Sequence, residues 1–206
     1  MDIAEMLEDL RMGMWWGGPG EVVAIPLGRP ATVDDLSITK LKAEIVDDRL
    51  LVKGPSGCSA GTASGNIAIS LNQFRRDGHA GFAFGSLMAY LVDLPHRKSL
   101  CPDASWYDGP RPPDDGFPPQ APVFAAEVRD DHEYGDAFER EFAARLADYF
   151  AAGTRVVWDV DVLREGLIRV YRATDPETPT IYRRGEIAEA EPAVPGWRFA
   201  VDELFD

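Results

Sequence analysis

Residues 123–161 read VFAAEVRDDHEYGDAFEREFAARLADYFAAGTRVVWDVD. A short apolar run, 123–126, leads directly into Glu127. A run of that kind suits a central strand covered on both faces. Asp136 then stands as a helix N-cap, with Glu139 three residues later in the spacing of a capping box. Phe138, Phe142, Leu146, Tyr149 and Phe150 recur at helical spacing and form one apolar stripe. Ala152-Gly153 supplies the stop. Residues 155–160 are largely apolar again and read as a second strand. Strand, helix, strand in that order implies a right-handed crossover and a parallel pair.

Arg145 does not fit the stripe chemically, although it fits it geometrically. At about 100° per residue it falls within about 20° of Phe138, so its guanidinium turns toward the sheet. A guanidinium so placed needs an anionic partner. Glu127, at the end of the adjoining strand, is one candidate. Asp103, at the start of a strand read over 104–107, brings a second acid to the same region. Two carboxylates from neighbouring strands can hold a hard divalent cation through oxygen and leave positions for water and a phosphate. A cation beside them would stabilise charge developing on that phosphate. The same residues without a metal would be an interior ion-pair cluster. Spacing leaves both readings open in a chain with 35 acidic residues.

The remaining elements follow from local patterns. TVDDL (32–36) resembles a helix start, and AEIVDDRLLV (43–52) reads as a hairpin turning at Asp47-Asp48. Residues 54–65 are rich in Gly and Ser but contain no lysine, so they lack the end of a Walker phosphate loop. They read as a loop feeding a helix through Ile67, Ile69, Leu71 and Phe74. Residues 81–93 read as one long buried strand bent at Gly85. Residues 110–122 form a loop rich in Pro, Asp and Gly. Further strands are expected over 167–171 and 180–182. Residues 2–12 suit a short amphipathic helix, broken by the Gly-rich stretch 17–20, and residues 1–30 read as an N-terminal extension to a domain spanning 31–206. Trp158 and Trp197 are expected in the core. His79, His96 and His132 share no metal-ligand spacing and read as loop or surface residues.

Charge restricts the functional classes. The net charge is -14, and residues 101–206 hold 23 acids against 11 bases. A protein that binds nucleic acid chiefly through phosphates should carry a basic stripe, and only Arg75-Arg76, Arg97-Lys98 and Arg183-Arg184 cluster here. A metal-bridged site remains open, because a divalent ion offsets local repulsion. The four lysines are Lys40, Lys42, Lys53 and Lys98, so any lysine-dependent step in the second half must do without a local lysine. No apolar run has the ~18 residues needed to span a bilayer, and the acidic start MDIAEMLEDL is not a signal peptide. Cys58 and Cys101 read as ordinary thiols. Together these features suggest a cytoplasmic protein with no membrane partner.

The order Pro102-Asp103, then Glu127-Val128-Arg129, is a PD-(D/E)xK-like pattern with Arg for Lys. With TVDDL, AEIVDDRLLV, CPDASWYDG (101–109), VFAAEV (123–128), RLADYFAAGTRVVWDVD (145–161), LIRVYRA (167–173) and PGWRFAVDELF (195–205), it resembles the Uma-two family of restriction-endonuclease-like proteins. The resemblance implies an α/β restriction-endonuclease-like core, a mixed β-sheet flanked by helices. It implies an endonuclease that cleaves nucleic acid, DNA ahead of RNA, with Mg²⁺ or Mn²⁺ held by Asp103 and Glu127. Glu44 would be a supporting acid. The family lysine, four residues before a tyrosine, corresponds to Arg145 ahead of Tyr149, and the alternative lysine position corresponds to Arg129. Arginine stays protonated and cannot act as a base, but it can hold a phosphate. A homodimer is expected by analogy. The alternative is a catalytically silent relative acting as a binding or assembly module, with an Arg145–Glu127 pair filling the metal site. A glycosidase-like carboxylate pair is a third reading, resting on Trp106 and Tyr107 alone.

Overall fold

A computed structural model describes residues 20–206 except Lys40 and Pro113, together with Glu5 and Glu8. The helix expected over 2–12 therefore lies outside the described residues apart from those two positions. Strand β8 (Phe124–Val128) is buried along its whole length, with β7 (Ala104–Tyr107) antiparallel on one side and β9 (Val156–Asp161) parallel on the other. The sheet extends through β10 (Leu167–Arg172) to β11 (Asp175–Arg183) at one edge and ends at β4 (Phe82–Gly85) at the other, in the order β11-β10-β9-β8-β7-β4. Only β8–β9 is a parallel pair within it, so the sheet is mixed and mostly antiparallel.

The period-2 alternation of these strands separates two layers. Phe124, Ala126 and Val128 of β8, with Val156, Trp158 and Val160 of β9, pack under helix α2 (Cys58–Arg76) through Ala60, Ala63, Ile67 and Leu71. Trp158 stacks on Trp197 at 4.9 Å between centroids, and Phe124 meets both rings edge-on. On the other face, Ala125 and Val157 pack against Leu146 and Tyr149 of helix α3 (Asp136–Ala151). Glu127 and Asp159 share that face by the same alternation.

A separate three-stranded sheet carries the hairpin. Its order is β1 (Val22–Ile25), β3 (Arg49–Lys53), β2 (Lys42–Val46), all antiparallel. Asp47 and Asp48 turn it with φ of 49° and 59°, the left-handed pair that matches strand twist. Ala43, Ile45, Leu50 and Val52 bury one face with Ile25 and Leu36. The opposite face presents Lys42, Glu44 and Lys53 to the main sheet. Two small ribbons complete the fold: β5 (Tyr90–Leu91) with β6 (Ser99–Leu100), and β12 (Ile187–Glu189) with β13 (Arg198–Ala200), which leads into the closing 3-10 helix Val201–Phe205.

Three local expectations are corrected. The Gly/Ser stretch 54–65 is not loop throughout, because α2 already starts at Cys58. Ala60 and Ala63 are the residues of this stretch that face the core, while Gly61 and Gly65 lie open, and Asp130 accepts the Gly57 N–H at 3.2 Å. Residues 81–93 are not one strand. Gly85 ends β4, and β5 joins a different ribbon. Asp136 is not the N-cap. Gly135, at φ 89°, takes that place, and Glu139 turns to Arg129 instead of closing a capping box. Among the described residues no helix is long and apolar enough to cross a membrane.

Helix α1 (Val33–Ile38) starts on a charged clasp. Asp35 accepts the Thr32 N–H at 2.7 Å and both terminal nitrogens of Arg29 at 2.7 Å. The Arg29 contact leads the effects that hold its carboxyl down at about 2, against the opposing effect of burial. A carboxyl depressed on folding stabilises above its unfolded value, near 4, and loses that contribution as pH falls through its folded value. Asp35→Asn should therefore cost about 1 kcal/mol at neutral pH. In urea melts the gap from wild type should shrink as pH drops from about 4 toward about 2. A gap that persists unchanged there would contradict the assignment.

Candidate active site

The fold brings four of the sequence-derived residues to one place. Asp103 immediately precedes β7, and its N–H donates to the Ala126 carbonyl at 2.9 Å. Continuing the β7–β8 register sets it beside Glu127. Glu127 is the fourth residue of β8, within the strand and not at its end. Both carboxylates are buried. One oxygen of Asp103 accepts the Val128 N–H at 2.9 Å, and the other accepts Lys42 Nζ at 2.7 Å. The same Nζ lies 3.6 Å from Glu127 Oε2. The second Glu127 oxygen accepts Arg145 Nε at 2.9 Å and the Tyr149 hydroxyl.

Arg145 extends this chain of charges to the small sheet. Its two terminal nitrogens donate to the two oxygens of Glu44 at 2.7 and 2.9 Å. Glu44 also accepts Arg97 at 2.5 Å and the Cys101 N–H at 2.6 Å. Arg97 in turn donates to Asp148 of α3 at 2.6 Å, and the His96 ring lies 2.8 Å from the same carboxylate. Burial would push the Glu44 carboxyl up, but Arg145 and Arg97 overcome it and hold the group at about 2. Burial acts against Asp103 in the same way, and Lys42 and then Lys53 draw it below the usual carboxylate range. Lys42 stays charged, because Asp103 and Glu127 outweigh the cost of its burial. Tyr149 is pushed well up by burial and by Glu127, so it remains a donor. Burial raises the Cys101 thiol to about 12, which leaves it neutral.

The site opens into a cavity of about 90 Å³ between the small sheet and α3, lined by Lys42, Lys53, Glu127, Arg129 and Arg145 among others. Arg129, the other position where a lysine is expected, does not reach Glu127. It makes paired contacts to Asp159 at 2.6 and 2.8 Å and to Glu139 at 2.6 and 3.1 Å. Lys42 and Arg97 stand in the sequence only as one of four lysines and as half of a basic pair, not as candidate site residues. The available signal was the strand period: Lys42 lies two residues before Glu44, hence on the same face of β2. The lysine that meets Asp103 and Glu127 comes from the first half of the chain.

Chemically, Asp103 and Glu127 offer hard carboxylate oxygens to one shared cation position, which the Lys42 ammonium takes here. Such oxygens are of the kind a hard divalent ion such as Mg²⁺ or Mn²⁺ would take. Among the described residues no group of three or more His, Cys, Asp or Glu is arranged to hold a metal. His79 stacks on Phe74 at 3.6 Å, and the His96 ring meets Asp148 instead of this pair.

A family model described as "Uma2: Putative restriction endonuclease" matches residues 32–202. Among solved structures, one described as a putative nuclease belonging to DUF820 from Anabaena variabilis ATCC 29413 superposes with a TM-score of 0.65 at 16% identity. The match covers 85% of this chain and 98% of that one, and at this identity it speaks for the fold alone. A search of curated proteins finds no match. The matched span takes in β2, β7, β8, α3 and β9, and with them every residue of the candidate site, so the chain belongs to the Uma2 family of restriction-endonuclease-like proteins.

Proposed function

We propose that the protein is a divalent-metal-dependent endonuclease hydrolysing phosphodiester bonds of nucleic acid, DNA ahead of RNA. The observation that carries this reading is the convergence of Asp103 and Glu127 on one cation position inside a nuclease-family fold. Asp103 and Glu127 would hold Mg²⁺ or Mn²⁺. When bound, the ion would polarise a phosphoryl oxygen and lower the pKa of the attacking water. The backbone N–H of Val128 fixes one Asp103 oxygen and leaves the other facing the cation position. Arg145 and Tyr149 together fix one Glu127 oxygen and leave the second facing it. Glu44 holds the Arg145 guanidinium in register by a paired contact. Arg145 stands where the family places lysine. It cannot take a proton from water, so its part is to orient Glu127. We read the chain as one domain over 31–206 with an extension over 1–30, of which β1 adds a strand to the small sheet, and a homodimer is the expected assembly.

A second reading has its own support. The Arg145–Glu127 ion pair and the Lys42 ammonium already neutralise the carboxylates, as expected of a silent relative that serves as a binding or assembly module.

Calorimetry with Mn²⁺ separates the two. The nuclease reading expects wild type to bind one ion per chain, Glu127→Gln and Asp103→Asn to lose that binding, and Glu127→Ala and Asp103→Ala to lose plasmid cleavage. No binding in wild type would favour the silent module. Unchanged cleavage in both alanine variants would remove Asp103 and Glu127 from the chemistry. Arg145→Ala would leave buried carboxylates undercompensated and should lower unfolding free energy by about 3 kcal/mol or more. A urea midpoint close to wild type would show that the guanidinium is dispensable.

A further inference from the structure

Lys42 and Lys53 face each other directly across β2 and β3. Like charges placed so are unfavourable on a strand pair unless each has an anion of its own. Lys53 has Glu133, at 2.7 Å. Lys42 has the two candidate metal ligands, and its side chain is only 10% exposed. Both lysines line the cavity beside Glu127 and Arg145.

Arg145 cannot serve as a mobile cation. Its Nε and both terminal nitrogens are committed to Glu127 and Glu44, and its planar fork has one geometry. The Lys42 ammonium is a point charge on a flexible stem, held among the described residues by side-chain oxygens. Glu44, Asp103, Glu127 and Asp148 are met by the fixed cations Lys42, Arg97 and Arg145, one fewer than the carboxylates, with the His96 ring also on Asp148. A divalent ion added to that set, with Lys42 retained nearby, turns the excess into one positive charge. That is the complement of a single phosphodiester.

We propose that Lys42 is the lysine of this nuclease site, delivered from β2 instead of from β8 or α3. It rests on Asp103 and Glu127 when no metal is there, and it moves onto the substrate phosphate when a divalent ion takes its position. The proposal rests on the metal-dependent reading given above. It makes Arg145 a positioning residue and explains how the site dispenses with a lysine after residue 98.

The test uses the full chain with Mn²⁺ alone as probe, titrated into wild type, Lys42→Met and Lys42→Gln. Glutamine keeps a donor to Asp103 should methionine fail to fold. Removing a like charge from the ion's position should tighten Mn²⁺ binding by about tenfold or more, and plasmid cleavage at saturating Mn²⁺ should fall by about a hundredfold. The melting temperature of each variant should rise more with Mn²⁺ than that of wild type. Equal or weaker Mn²⁺ binding in the folded variants, or cleavage at the wild-type rate, would overturn the role of Lys42 and leave the metal site standing. Binding in the variants with none in wild type would also overturn it, since Lys42 would then be a permanent plug. No binding in any of the three would instead bring down the metal-dependent reading itself.

Discussion

The chain of ion pairs Asp103–Lys42–Glu127–Arg145–Glu44 is the constraint on which the two-sheet arrangement depends. A buried carboxylate without a partner is costly. Three such groups lie here within two sheets that have separate apolar cores. The small sheet spends one face on its own core and turns its charged face to β8 and α3. Neither surface could be buried without the other, because Lys42 answers carboxylates of the main sheet while Arg145 answers a carboxylate of the small one. Such pairs contribute less to net stability than their number suggests, but breaking one is expensive. The network thus acts chiefly as a specification of how the sheets meet.

Much of this was legible in the sequence. The 123–161 stretch gave the strand, helix, strand unit because its periodicities are strong and local. The angular position of Arg145 among Phe138, Phe142 and Tyr149 pointed it at Glu127, and the structure contains that pair. The hairpin at Asp47-Asp48 followed from turn chemistry. Pairing across long separations was not legible. Lys42 meets Asp103 from 61 positions away, and no local pattern announces such a contact. The failures at 54–65 and 81–93 have a related origin. Gly and Ser favour loops in isolation, yet here they take helical places because Ala60, Ala63, Ile67 and Leu71 of the same helix pack on the sheet. An apolar run does not reveal that its two ends join different sheets.

The acidic character of the chain also takes on a definite meaning. Net charge alone argues against a broad phosphate-binding face. The cavity nevertheless gathers Lys42, Lys53, Arg129 and Arg145, each matched by nearby acids. Positive charge is thereby gathered at the site and balanced there by those acids. In the metal-dependent reading, a site so balanced would attract an anion once an added cation had shifted the local sum. Metal and substrate binding would then be coupled through the same few residues, in an otherwise acidic molecule.

The most direct measurement is anomalous diffraction at the manganese edge from crystals soaked in Mn²⁺. The account predicts a single strong peak at coordination distance from one oxygen of Asp103 and one of Glu127, with Lys42 Nζ withdrawn into the cavity and the Arg145–Glu44 pair intact. No peak there, with Lys42 still bridging the two carboxylates, would contradict it.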